Sequence, residues 1–222
     1  MRALTSRMLE AIRQAKQNKG ERKFIQSLEI TVNIKGVDLS KPENRFNEVI
    51  ELPHDLGKKR RKICVIASGN TALMARRIQG VDRVIEREEL ETLVGNKREA
   101  KKLASSYDYF LVEPPLMGLA ARVLGAALGS RGKAPIPIPP GQDLEKLVQR
   151  HANSVTVRLR KIPQVSALIG TEEMDDEKLA ENAEAVLSRV IEKLEKRQRN
   201  VASVYVKTTM GKPVKVNLSA RE

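Results

Sequence analysis

The chain has 222 residues, 41 Lys and Arg against 28 Asp and Glu, and a formal charge of +13. That length supports one large or two small domains with a real hydrophobic core, so no metal or disulfide staple is required, and the single cysteine excludes an internal disulfide. The charge points to a polyanionic partner, and to nucleic acid before an acidic membrane, because membrane-surface helices use aromatic anchors and the chain has no Trp.

Residues 2 to 18 set Leu4, Met8, Ala11, Ile12 and Ala15 at helical spacing with Gly20 as a stop, which predicts an amphipathic opening helix. The N-terminus is too polar for a signal peptide, and no stretch reaches about 18 uninterrupted apolar residues, so a cytoplasmic, reducing location is expected. Leu28 to Lys35 then alternates apolar and polar, the pattern of a strand with one face on a core and the other in solvent. A polar loop containing Lys41-Pro42-Glu43-Asn44 leads to a second strand near Asn47 to Leu52, stopped by Pro53-His54.

The texture changes after the charge run Gly57 to Lys62, which reads as a solvated hinge face or a nonspecific phosphate contact. Residues 63 to 67 are apolar on both faces, as in a parallel sheet covered by helices, and Cys64 among them reads as an inert core thiol. A helix (Thr71 to Ile78), a short strand (Arg83 to Ile85), helices near Glu88 to Leu93 and Lys97 to Ser105, and a strand (Tyr109 to Val112) follow, the order of a small doubly wound α/β unit. It is expected to end in a Gly/Pro-rich passage from Gly125 to Gly141 and a helix from Asp143 to Ala152.

Alternating strands return at Val155 to Leu159 and Val165 to Ile169. A long helix from about Asp176 to Lys196 follows, with Leu179, Ala183, Val186, Leu187, Val190, Ile191 and Leu194 on one stripe. A hairpin of Val201 to Lys207 and Val214 to Val216 closes the chain. The like texture of the two ends around a parallel-sheet middle predicts a discontinuous first domain with a second inserted into it, joined by two crossings near residues 54 and 154 that permit hinge motion.

Catalytic patterns are poor. His54 and His151 have no Cys, Asp or Glu at metal-ligand or triad spacing, and both read as surface or packing residues. The stretch from Gly125 to Ala134 fails as a phosphate loop, since Ala127 stands where a glycine is needed and Ala134 where Ser or Thr is needed. Ser68-Gly69-Asn70 could place backbone N–H groups at a helix N-terminus, so a nucleotide-dependent RNA-modifying enzyme using the α/β insert stands as the alternative, and a charge-driven RNA coat as a third reading. The acidic cluster Glu86 to Glu91 reads as a helix surface.

The hairpin carries more. Ser203, Tyr205 and Lys207 share one strand face, Thr208 and Thr209 offer two hydroxyls at the tip, Met210 an apolar contact, and Gly211 a backbone with no side chain to hold a partner away. Those groups suit the shallow groove of RNA with its 2′-hydroxyls, and Ser27 and Glu29 lie on the polar face of the first strand. Three Phe and three Tyr are too few for a base-stacking platform. An exposed edge hairpin kept soluble by lysines fits the same residues, and physics alone leaves the two open.

The segments Lys41-Pro-Glu-Asn-Arg45, Glu51-Leu-Pro-His54, Pro114-Pro-Leu-Met-Gly118 leading to Gly129-Ser-Arg-Gly-Lys133-Ala-Pro135, and Ser203-Val-Tyr-Val-Lys-Thr-Thr-Met-Gly211 occur here in that order. With them the chain resembles the universal large-subunit ribosomal protein L-one family, in its archaeal branch, over nearly its whole length. The resemblance implies a discontinuous α+β domain of residues 1–54 and 154–222, with a split β-α-β type antiparallel sheet and helices. It implies an inserted Rossmann-like α/β three-layer domain of residues 55–153. It further implies a non-enzymatic structural constituent of the large ribosomal subunit, without cofactor or metal and monomeric when free, that binds the stalk region of large-subunit rRNA near the tRNA exit site. Assistance in releasing deacylated tRNA and repression of translation through its own mRNA would follow. Carried over by position, the RNA contacts are Phe24, Ser27, Glu29, Ser203, Thr209, Met210 and Gly211, with Lys207 and Arg158 as phosphate partners. Members of the family usually carry Gly-Pro where this chain has Gly125-Ala126 and Gly129-Ser130, and two lost prolines are expected to loosen that loop.

Overall fold

The computed structural model describes residues 2–141 and 143–218. The chain divides into two units, one running to Arg60 and again from Asn153, the other from Arg61 to Ala152. In the first unit, α1 (Arg2–Gln17) turns Met8, Ala11, Ile12 and Ala15 inward, as their spacing requires. Gly20, at φ +64°, makes the left-handed turn that ends this excursion. Next, β1 (Ser27–Ile34) buries Leu28, Ile30, Val32 and Ile34 and leaves the intervening polar residues half-buried. After it, β2 (Phe46–Glu51) leads toward the first crossing. Leu56, fully buried, belongs to the core of this same unit.

The second unit is a parallel sheet in the order β4-β3-β5-β6, where β3 is Ile63–Ile66, β4 Val81–Ile85, β5 Tyr109–Val112 and β6 Pro135–Pro137. Every residue of β3 and β5 is buried, and their period of two sends alternate side chains into two separate cores. Cys64, Ile66, Phe110 and Val112 pack with α3 (Arg87–Thr92), α4 (Lys97–Ser106) and α5 (Met117–Gly129). Ile63, Val65, Tyr109 and Leu111 pack with α2 (Gly69–Arg77) and α6 (Leu144–Ala152).

The passage expected to be irregular from Gly125 is helical as far as Gly129. Glycine in a helix interior costs about 1 kcal/mol relative to alanine. Burial of Ala120, Leu124, Ala127 and Leu128 outweighs that here. Ala126 lies inside α5, and the hydroxyl of Ser130 donates to the carbonyl of Ala127 at 3.1 Å at the helix end.

The chain returns to the first unit with β7 (Ser154–Leu159), which pairs antiparallel with β2 in a two-stranded sheet of their own. Then come β8 (Gln164–Thr171), α7 (Asp176–Lys193), β9 (Val201–Thr208) and β10 (Val214–Val216). The antiparallel order is β10-β9-β1-β8, so strands from both ends of the chain flank β1. The inward residues of β1, β8 and β9 form one core with α1 and with Leu179, Ala183, Val186, Leu187 and Val190 of α7. Each such aliphatic side chain contributes about 1.5–3 kcal/mol on burial. Asp176 at the start of α7 accepts from Lys16 at 2.6 Å and Arg13 at 3.3 Å, which ties α7 to α1. Asn182, buried on α7, accepts the His54 N–H at 3.0 Å and donates to the carbonyls of His54 and Ile169 at 3.3 and 2.9 Å. That amide fixes the segment before the first crossing to its own unit.

Candidate nucleic-acid interface

The face of the four-stranded sheet turned away from α1 and α7 is polar. Antiparallel register sets Glu29 opposite Lys207, Thr31 opposite Tyr205 and Asn33 opposite Ser203. The Asn33 amide donates to the Ser203 hydroxyl at 3.0 Å, and the Thr31 and Ser166 hydroxyls are 3.1 Å apart. These bonds fix side chains that would otherwise rotate, so the face is ordered before any partner arrives.

At the N-terminal end of β1 the face is closed by the turn after β9. The Ser27 N–H donates to the Thr209 hydroxyl at 3.1 Å, and the Thr209 N–H donates to the Ser27 carbonyl at 3.0 Å. Met210 N–H donates to the side-chain carbonyl of Gln26 at 3.0 Å, while the Met210 side chain remains 57% exposed. Phe24, 50% exposed, precedes the same strand. Ser27, Glu29, Ser203, Lys207, Thr209, Met210 and Gly211 are thus gathered on one sheet and its turn.

Three sequence-based expectations change. Arg158 is not with the others: it lies on β7, in the separate two-stranded sheet, and its Nε donates to Asn47 at 3.0 Å. There it lines a groove of about 800 Å³ with Arg45, Arg160, Lys161, Phe46 and Ile162, three further cations that the sequence did not single out. Thr208 does not offer its hydroxyl: period two carries it to the inward side with Val204 and Val206, where it is fully buried, and its Oγ1 has no hydrogen-bond partner among the described residues. Gly211 is small for an inward reason, since a Cβ there would collide with the Thr208 hydroxyl and lie 3.1 Å from the Asn18 carbonyl and 3.3 Å from Lys19 Cα. The turn sits directly on the end of α1.

Sequence reasoning missed Gln26, only 1% exposed. Its Nε2 donates to the carbonyls of Lys19 and Gly20 at 3.1 and 3.3 Å. Its backbone exchanges bonds with Glu172, the N–H donating to the carboxylate at 3.1 Å and the carbonyl accepting the Glu172 N–H at 3.0 Å. Burial pushes the Glu172 carboxyl up, but the Gln26 N–H and the Lys19 ammonium, 2.9 Å away, outweigh it and hold the group below its ordinary value. Gln26 stands two places before Leu28, in phase with the inward face of β1, so extending the alternation one step upstream could have found it.

In the second unit, the start of α2 already holds a carboxylate. At the start of α2, the Glu113 carboxylate accepts from the Ser68 N–H and hydroxyl at 2.8 and 2.9 Å and from the Thr71 hydroxyl at 3.0 Å. Burial alone would raise the Glu113 pKa, yet these donors lower it. A nucleotide phosphate at that helix end would meet a carboxylate already in place. Burial pushes the Cys64 thiol up to about 12, so it stays protonated. His151 packs its ring against Tyr109, centroids 5.2 Å apart. Among the described residues there is no cluster of three potential metal ligands, and no helix is long and apolar enough to cross a membrane. Several charges between Arg76 and Glu91 pair with one another, Arg76 with Glu86, Arg83 with Glu89 and Arg87 with Glu91.

An α+β unit that presents an ordered polar sheet face and a basic groove is built for binding a polar, anionic partner. The model of the Ribosomal protein L1p/L10e family matches residues 13–212, and the chain belongs to that family. It is 50% identical over 211 residues to the large ribosomal subunit protein uL1 of Thermococcus kodakarensis, an alignment covering 95% of this chain and 96% of the relative. The uL1 proteins of Archaeoglobus fulgidus (48% over 210 residues; 95% and 97% covered) and Methanothermobacter thermautotrophicus (46% over 209; 94% and 98%) are similar over the same extent. The chain is accordingly a non-enzymatic component of the large ribosomal subunit that binds ribosomal RNA.

Proposed function

We propose that the first unit, a discontinuous RNA-binding domain built from both ends of the chain, grips the stalk region of large-subunit rRNA near the tRNA exit site. Its contacts are Phe24, Ser27, Glu29, Ser203, Lys207, Thr209, Met210 and Gly211. The observation that carries this reading is the junction of Ser27 with Thr209, which joins strands from opposite ends of the chain into one surface of hydroxyls and main chain. Such a surface matches the sugar edge of a folded RNA, where 2′-hydroxyls both donate and accept. Glu29 accepts from a 2′-hydroxyl or base amine, and Lys207 opposite it supplies the positive charge that keeps a carboxylate compatible with RNA. Arg158, with Arg45, Arg160 and Lys161, supplies phosphate contacts from the groove.

Placed at the exit site, the protein assists release of deacylated tRNA. The same surface represses translation by holding a similar structure in its own mRNA, so ribosomal and messenger RNA compete for it. The test is competition between a stalk transcript and the leader of the protein's own message. Met210→Ala should weaken both by the same factor, about 5- to 150-fold for one specific contact, and loss of one affinity without the other would contradict a shared surface.

A further inference from the structure

Recognition surfaces that depend on a turn require something to hold the turn, and the strongest candidate is a residue that touches no partner. Gln26 is buried, its carboxamide joins two elements and its main chain a third. It accepts from Met210 N–H in the turn after β9 at 3.0 Å. It donates to two carbonyls beyond the end of α1, Lys19 at 3.1 Å and Gly20 at 3.3 Å. Its own main chain is bonded in both directions to Glu172, just after β8. Only an amide supplies an acceptor and a two-proton donor from one planar group, so Leu, Glu or Lys in this place leaves at least one of these buried partners unmet.

We infer that Gln26 is the positioning residue of the RNA-binding turn, setting Thr209, Met210 and Gly211 in the one arrangement that fits the RNA without contacting it. This rests on the RNA-binding reading of that turn. Besides the packing of Gly211 against Asn18 and Lys19, few bonds fix the main chain of the turn among the described residues. Met210 side chain is exposed, Gly211 has no side chain, and the remaining main-chain bonds are the Thr209–Ser27 pair and Gly211 N–H to the Thr208 carbonyl at 3.2 Å. Losing the Gln26 bond frees Met210 and leaves Thr209 attached.

The experiment compares the full chain with its Gln26→Leu, Gln26→Glu and Met210→Ala variants. It uses a transcript of the stalk helix and loop, an unrelated hairpin of equal length, and hydrogen exchange of the Met210 amide in the RNA-free protein. Gln26→Leu should speed Met210 exchange about tenfold or more and weaken stalk binding about tenfold, with binding to the unrelated hairpin and the salt dependence unchanged. Gln26→Glu should weaken stalk binding at pH 8, where a carboxylate faces the Lys19 and Gly20 carbonyls with no proton to donate and lies beside Glu172. It should recover toward the parent as pH is lowered from 8 and the carboxyl takes up a proton with which it again donates and accepts, an uptake that Glu172 favours and the Lys19 ammonium opposes. If the Leu variant does not fold, the Glu variant decides by its pH response measured against the parent. Unchanged Met210 exchange, or unchanged stalk binding in a variant for which Met210→Ala does weaken it, overturns the role of Gln26. If Met210→Ala itself leaves stalk binding unchanged, the reading of the turn as the RNA site fails instead, and the inference falls with it.

Discussion

Ser27 and Thr209, 182 residues apart in sequence, are joined main chain to side chain and main chain to main chain at 3.1 and 3.0 Å. This joint closes the polar face at the N-terminal end of β1. Thr209→Val keeps the shape and the main-chain bond but removes the hydroxyl that accepts from Ser27. Stability in urea should fall by about 1 kcal/mol or less, since the site is exposed and water can replace the acceptor. Stalk binding should fall by about 1–3 kcal/mol if, as proposed, the hydroxyl is also an RNA contact.

Gly211→Ala tests the packing of the turn on α1. The added methyl meets the Thr208 hydroxyl and two main-chain atoms of Asn18 and Lys19, so the turn must move. An overpacked site of this kind costs about 1–3 kcal/mol. Thermal unfolding should show a lower Tm, and Met210→Ala, at an exposed position, should leave Tm near that of the parent.

Much of this was legible in the residues. The alternation from Leu28 to Lys35 gave β1 and its two faces, and the stripe from Leu179 to Leu194 gave α7 to within a turn, because both burial patterns are strictly periodic. Periodicity also hid things. Thr208 looked like a tip residue until the register showed it one place before the turn, on the buried side. Gly118 and Gly125 masked α5, whose stability comes from packing that no local propensity records. Arg158 matched by position yet lies on another sheet, and Gln26 is defined only by partners distant along the chain, Met210 being 184 positions away.

Gly125→Ala should stabilise the second unit by about 0.5–1 kcal/mol. The position is helical, has no left-handed φ, and has open space where the Cβ would sit. Urea unfolding of the variant against the parent checks this, and a loss of stability would contradict the helical assignment.

Acid should loosen both units over a defined range. Glu172 and Asp176 in the first unit and Glu113 in the second all have pKa values below their ordinary 4.5, 3.8 and 4.5. In each, burial acts upward and is outweighed, by hydrogen bonds alone at Glu113 and by hydrogen bonds and nearby cations at Glu172 and Asp176. A carboxyl depressed on folding contributes stability that is full above its unfolded value and is lost as pH falls through the folded one. Stability should therefore be flat from pH 7 to about 5.5 and decline below about 4.5. Glu172→Gln should reduce that decline, and an unchanged acid limb would contradict the role given to Glu172.

In the proposed reading one ordered surface selects a folded RNA, and the +13 charge only draws RNA in. The most direct measurement is competition of a stalk transcript against an unrelated hairpin across a salt series, with the parent, Met210→Ala and Lys207→Ala. The account predicts that the parent keeps its preference for the stalk as salt rises, that Met210→Ala lowers that preference with no change in salt slope, and that Lys207→Ala flattens the slope by about one unit. Equal affinity for the two RNAs at moderate salt would contradict it and leave a charge-driven coat in its place.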